Sequence, residues 1–158
     1  MVVTPTLKEF KVKTQNLKLI AKTAEDIRVI SAHLQDSIVK TSDIASLKRN
    51  KIFLIQLNRF MWEDVEKGVF RKNKRIRTVL KFENILEVTA KNINQRKGDR
   101  FLDFLAIETL KMPDKNYEMK LIFAGDIVIK LVTEAIDVTL DDQGSPWESK
   151  NKPKHEDL

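Results

Sequence analysis

Between Ile76 and Leu140 the sequence keeps a two-residue rhythm and breaks it twice, and this limits the chain to a sheet that bends. Ile76, Thr78, Leu80 and Phe82 share one parity, with Arg77, Val79, Lys81 and Glu83 on the other. The parity slips at Glu83 and Asn84, and Ile85, Leu86 and Val88 resume. Successive side chains of a strand point to opposite faces, so a one-residue slip marks a bulge or a corner where the strand turns onto another part of the sheet. Met119, Leu121 and Phe123 alternate up to a tight hairpin at Gly125 and Asp126, and Ile127, Ile129 and Leu131 return. A second slip falls at Thr133 to Ala135, before Ile136, Val138 and Leu140. Ile85-Leu-Glu-Val-Thr89 echoes Ala135-Ile-Asp-Val-Thr139, and each follows a hairpin, which points to two similar three-strand units.

The chain ahead of this region supplies a helix and more strands. Leu17 to Ile20 reads as a short apolar strand, and Thr23 can cap a helix that opens with Glu25 and Asp26 against the positive end of its dipole. Ala24, Ile27, Ile30, Ser31 and Leu34 form one helical stripe, which should stop near Gln35 or Asp36. Ser37 to Val39 is extended and leads to an expected turn at Thr41, Ser42 and Asp43. Lys48 to Lys51 is a basic connection. Ile52 to Leu57 is a nearly continuous apolar run, the pattern of a strand covered on both sides. Phe101 to Leu110 is a further strand, followed by a turn at Pro113 and Asp114. The fold class expected is α+β: a strongly bent, mostly antiparallel sheet, half-open barrel or sandwich-like, with one main N-terminal helix covering an open end or face. Residues 1–15 read as an N-terminal extension, edge strand or disordered, residues 16–143 as a single globular domain, and residues 144–158 as a disordered polar tail.

Composition narrows the chemistry. With 158 residues and 42% hydrophobic content the chain can bury one real core. It has no cysteine, so disulfides, thiolate catalysis and sulfur-ligated zinc are excluded. His33 and His155 are the two histidines, and the second lies in the polar tail, so no metal site is expected. Four glycines, none clustered, make no phosphate cradle, and no cofactor is expected. No apolar run approaches the ~18 residues of a membrane span, and a cytoplasmic soluble protein with no membrane partner is expected. The net charge of +6 and the pI near 9.5 invite a nucleic-acid partner, although joint richness in Lys, Ile and Asn is also what an AT-rich genome writes.

Polar residues among apolar positions mark the candidate site. Gln35, Asp36, Asn58, Arg59, Trp62 and Glu63 fall at the end of the helix and the end of the first long strand. Arg59 can grip a carboxylate with two bonds, and Asp36 is the leading candidate to receive it if the helix end packs beside the strand end. That arrangement serves either as a pin between helix and sheet or as a site for an anionic ligand or protein partner. Trp62 reads as core or as part of a binding surface, since aromatic and Arg side chains carry most interface energy. A basic run, Arg71, Lys72, Lys74, Arg75 and Arg77, reads as a solvated hairpin loop or as a phosphate-contacting loop. His33 and Asp36, three apart on a helix, are the nearest approach to an acid and base pair, and Ser31 lies too near in sequence to complete a hydrolase. No catalytic residue is assigned. The leading expectation is a non-enzymatic binding or adaptor module, with nucleic-acid binding second and a small hydrolase around His33 third.

Several spaced blocks then suggest a family: Leu17-Lys-Leu-Ile, Glu25-Asp26, Ser31-Ala-His-Leu-Gln-Asp36, Asn58-Arg-Phe-x-Trp62-Glu63, Phe123-Ala-Gly125 and Ile129-x-Leu131. Together they resemble an uncharacterised group of small alphaproteobacterial proteins catalogued as domain of unknown function 2948, over roughly Leu17 to Trp147. The resemblance implies a stand-alone cytoplasmic protein and carries over no activity, cofactor or site residue.

Overall fold

The computed structural model describes residues 16–63, 74–93 and 98–148. Its elements are β1 (Lys18–Ala21), α1 (Ala24–Leu34), β2 (Ile38–Leu47), β3 (Ile52–Phe60), β4 (Lys74–Phe82), β5 (Ile85–Lys91), β6 (Phe101–Lys111), β7 (Tyr117–Phe123), β8 (Ile127–Thr133) and β9 (Val138–Glu148). The nine strands form one sheet in the order β1-β9-β4-β3-β2-β6-β7-β8-β5, and every pairing is antiparallel. The α+β class with a bent antiparallel sheet holds. The sheet does not close, because β1 and β5 stand at its two ends without pairing to each other.

Both parity slips are corners between distant parts of this sheet. β4 lies between β9 and β3, whereas β5, which follows it after Glu83 and Asn84, pairs with β8 at the far end. β8 in turn runs through Glu134 to Asp137 into β9, which pairs with β4. The corners lie side by side: the Glu83 N–H donates to the Asp137 carbonyl at 2.9 Å, and the Glu134 N–H to the Asn84 carbonyl at 3.0 Å. Asn84 tolerates its positive φ of 60° because a short polar side chain can settle in the left-handed region. Each hairpin therefore sends its following strand to the other hairpin. The echo of Ile85–Thr89 in Ala135–Thr139 falls out of step with this, since Ile85 opens β5 while Ala135 and Ile136 still belong to the corner before β9.

With β1 set aside, the connectivity reads the same from both ends. β2-β3-β4-β5 and β6-β7-β8-β9 are each a three-strand meander followed by a crossing strand. The halves meet through β2 and β6, where Ile38 faces Asp103 and Lys40 faces Phe101. Each of these strands is irregular just past that contact, between Val39 and Ile44 in β2 and between Phe104 and Ala106 in β6. A bulge bends and twists a strand, which lets each one leave its partner.

The core lies inside the bend. Phe53 and Phe82 pack edge-to-face at 5.9 Å, and Phe104 and Phe123 at 5.5 Å. α1 adds Ile27, Ile30 and Leu34, all buried. Its start is a reciprocal cap: the Thr23 hydroxyl accepts from the Asp26 N–H at 3.2 Å, and the Asp26 carboxylate accepts from the Thr23 N–H at 3.2 Å. A bond from the Lys22 N–H, followed by those with Thr23, holds the Asp26 carboxyl below the usual range.

Four local expectations change. Thr41 to Asp43 is not a turn, because β2 continues through it to Leu47 and absorbs the irregularity as a register shift. β3 is not covered on both sides over most of its length: Phe53, Ile55, Leu57 and Arg59 are buried, while Ile52, Leu54, Gln56 and Asn58, of opposite parity, are only half-buried. Residues 144–148, expected in the tail, are strand, with Trp147 opposite Arg75 and Glu148 opposite Lys74. Lys74 and Arg75, expected in a solvated loop, belong to β4. The expectations for residues 1–15, for Arg71 and Lys72, and for residues 149–158 lie outside the described residues.

Candidate functional site

Arg59 lies at the inward parity of β3 and its side chain is 0% exposed. Its Nε and Nη2 donate to the two oxygens of Asp142 at 2.8 and 2.7 Å, and its Nη1 and Nη2 donate to the two oxygens of Glu63, both at 2.9 Å. The fork of the guanidinium thus holds two carboxylates, each with paired bonds, a geometry only Arg provides. Asp142 continues the inward parity of Val138 and Leu140 on β9, and it also accepts from the Thr78 hydroxyl and, at 2.8 Å, from the Leu17 N–H. Burial works against the charged guanidinium, but the bonds and charges of Asp142 and Glu63 outweigh it and push its pKa up. Burial likewise pushes the Glu63 carboxyl up, yet His33 and Arg59 beside it hold it at about 2. The partner expected for Arg59 was Asp36; the structure pairs it with Asp142 and Glu63 instead.

A pin between helix and sheet does exist, and Arg75 makes it. This buried side chain donates from Nη1 to the Asp36 carbonyl and to the Asn58 carbonyl, both at 3.1 Å, and its guanidinium lies 5.8 Å from the centre of the Phe60 ring. Burial pulls its pKa down, against the opposing charges of Asp36 and Asp103. Trp62 adds a second tie: its Nε1 donates to the Gln35 carbonyl at 2.8 Å, and its ring packs edge-on against Phe60 at 4.6 Å. Asp36 itself takes a positive φ of 64°, and its N–H donates to the Phe104 carbonyl at 2.8 Å. The sequence reading thus found the right seam and assigned its pin to the wrong arginine. Arg75 was missed as the pin because it ends the run Arg71-Lys72-Asn73-Lys74, whose cations and amide read as a solvated loop.

The remaining candidates part company. The His33 Nδ1 is 3.8 Å from the Glu63 carboxylate, within ion-pair reach and too long for a hydrogen bond. The Ser31 hydroxyl accepts from the Ile107 N–H at 3.0 Å and so caps a piece of the β6 edge. The serine hydroxyl is bonded to β6 while the histidine Nδ1 lies toward Glu63, and no hydrolytic set forms from them. Among the described residues no group of three or more His, Cys, Asp or Glu could hold a metal ion. Arg77 is exposed on the outer face of the sheet, where it lines a recess of about 170 Å³ with Lys40, Gln56, Asn58 and Phe101. Lys and Arg balance Asp and Glu one for one among the described residues, so the charge of +6 is carried by residues 1–15, 64–73, 94–97 and 149–158.

A further concavity lies elsewhere, and its residues were not among those read from the sequence. Among the described residues, β2 no longer pairs with β6 past Lys40, and β5 pairs only with β8. The two free edges flank a cavity of about 490 Å³ floored by Phe53, Ile129, Ile44 and Val88, with Ser42 and Ser46 at its rim. A second lobe of about 250 Å³ shares Ser46 and Val88 with the first and runs on to Lys48, Lys51 and Glu87. At one end the seam is tied by the Ile85 N–H to the Lys51 carbonyl at 2.9 Å, and at the other by the Thr41 N–H to the Arg100 carbonyl at 2.9 Å. Local periodicity could not reveal this cavity, since it depends on which strands lack a neighbour.

These features define a small module with one bent antiparallel sheet, a helix packed against it and an open seam. The chain belongs to the family described as "Protein of unknown function (DUF2948)", whose model matches residues 17–155. No curated protein and no solved structure matches it.

Proposed function

We propose that the chain is a non-enzymatic binding module and that its ligand enters the open seam between β2 and β5. The observation that carries this reading is the cavity of about 490 Å³ between edges of β2 and β5 that pair with no described strand along it. Its volume is in the range of roughly 300–1,000 Å³ common for ligand pockets, and a mostly apolar floor with a few hydroxyls at the rim suits binding rather than bond-breaking. The Arg59 cluster, in this reading, is the brace that holds β1, β3 and β9 together, since all of its strong bonds point inward. The test is titration with the fluorescent apolar probe 1-anilinonaphthalene-8-sulfonate. One saturable site is expected in the native protein and its loss in Ala90→Trp, which places an indole in the cavity mouth, with the melting temperature unchanged. Equal binding by both proteins sinks the reading.

A second reading, nucleic-acid binding, moves from the basic loop to the outer sheet face. Phe101 is 72% exposed there, opposite Lys40 and beside Arg77, so a base could stack on it. Phe101→Ala with Arg77→Ala should weaken retention on a single-stranded oligonucleotide. The Arg77 change should also lower the salt slope by about 0.7 for the lost phosphate contact.

A further inference from the structure

The two halves of the sheet differ in one respect that bears on the seam. The seam lies between the free edges of β2 and β5, and the matched place in the other half lies between β6 and β9. That second place is filled: β1 pairs with β9 from Lys18 opposite Asp141 to Ala21 opposite Val138, and α1 lies along β6, with Ser31 bonded to the Ile107 amide. The first residues of β9 correspond to the first residues of β5, so the matched position for an added strand runs along Ile85 to Val88. Those residues line the second lobe.

From this we infer that the seam accepts an extended peptide from a partner protein, which adds as a strand to the outer edge of β5. The inference rests on the proposed binding role and names its ligand class. A backbone is the ligand that answers both walls, because between the ties at Ile85 and Thr41 the seam edges of β2 and β5 pair with no other described strand, and an acyl chain or an aromatic ring cannot satisfy the N–H and C=O groups of such edges. β1 shows what such a strand looks like in the matched place: Leu19 and Ala21 turn inward, and Lys18 and Ile20 turn to solvent. Alternating apolar and polar residues therefore fit, with the apolar set meeting Val88, Phe53 and Ile129. The end of the peptide near the β2–β3 turn should be acidic, since the exposed cations Lys48, Arg49 and Lys51 outnumber the carboxylates Glu87 and Glu134 there.

The probe is a fluorescein-labelled octapeptide alternating Val and Thr and ending in two glutamates, titrated against the full chain by anisotropy. Three variants accompany it: the same peptide N-methylated at alternate residues, a version ending in two lysines, and the protein carrying Lys48→Glu with Lys51→Glu. Saturable binding is expected, with a loss of more than tenfold on N-methylation, which removes strand hydrogen bonds and keeps the apolar surface. The charge-reversed protein should prefer the lysine-ended peptide. Equal binding of the N-methylated peptide overturns strand addition. If 1-anilinonaphthalene-8-sulfonate binds and no peptide does, the cavity reading stands and this inference falls; if neither binds, both fall. Hydrogen exchange on the free full chain supplies a separate check. Fast exchange of the outward amides of β5 is expected. Protection already present at low concentration would mean that the chain fills its own seam, and protection that grows with concentration would mean that a second copy does; either overturns the partner.

Discussion

Arg59 directs four hydrogen bonds at two carboxylates inside the sheet, and its removal would leave Asp142 buried without its counter-charge. Breaking one side of a buried ion pair typically costs about 3–5 kcal/mol, so Arg59→Met should lose stability on that scale in urea unfolding. Arg59→Lys should recover little of it, because an ammonium cannot hold two carboxylates in paired bonds. Glu63 adds a pH dependence with a definite sign. Its carboxyl sits at about 2 in the folded chain against an ordinary 4.5, so its stabilisation is complete above about pH 4.5 and disappears as the pH falls toward 2. Acid titration of the unfolding free energy should be flatter in Glu63→Gln over that interval. At this scale the sequence was informative about Arg59 as a cation among core positions, and it pointed to the wrong partner, Asp36. Asp142 lies 83 residues downstream. Its only local signal is that an acid occupies the inward parity after Val138 and Leu140, and that signal reads equally well as the end of a strand.

Elements whose cause is local were legible, and those shaped by distant neighbours were not. Thr23, Asp26 and the stripe from Ile27 to Leu34 specify α1 within a dozen residues, and the structure places the helix there. Thr23→Ala should remove one half of the cap and cost about 1 kcal/mol, read as a lower melting temperature and lost helical ellipticity. The hairpin at Gly125 and Asp126 was legible for the same reason: both take positive φ, 82° and 59°, which Gly adopts freely and Asp tolerates. β2 was misread as stopping at Thr41 because polar residues in a row usually mark a turn. Its polar stretch instead accompanies the departure of the strand from β6, a contact no local pattern reports. Arg75 and Lys74 were placed in a loop for a similar reason: charge density argued for solvent, while pairing with Phe60 and Trp147 draws Arg75 into the sheet.

For the molecule as a whole, parity predicted that corners exist and could not predict where they lead. The corner after Phe82 takes the chain from beside β9 to beside β8, and the corner after Thr133 takes it back. Contacts of such long sequence separation slow folding, so refolding after a denaturant jump should fall in the millisecond-to-second range, as one phase seen alike by tryptophan fluorescence and far-ultraviolet ellipticity. A microsecond phase with most of the ellipticity would contradict this picture. The exchange of β5 and β9 also bears on what happens if the chain is severed between β5 and β6. Each fragment would keep a meander but carry the crossing strand that pairs with the other. Neither should be stable alone, and mixing them should restore one cooperative unit with a midpoint that rises with concentration.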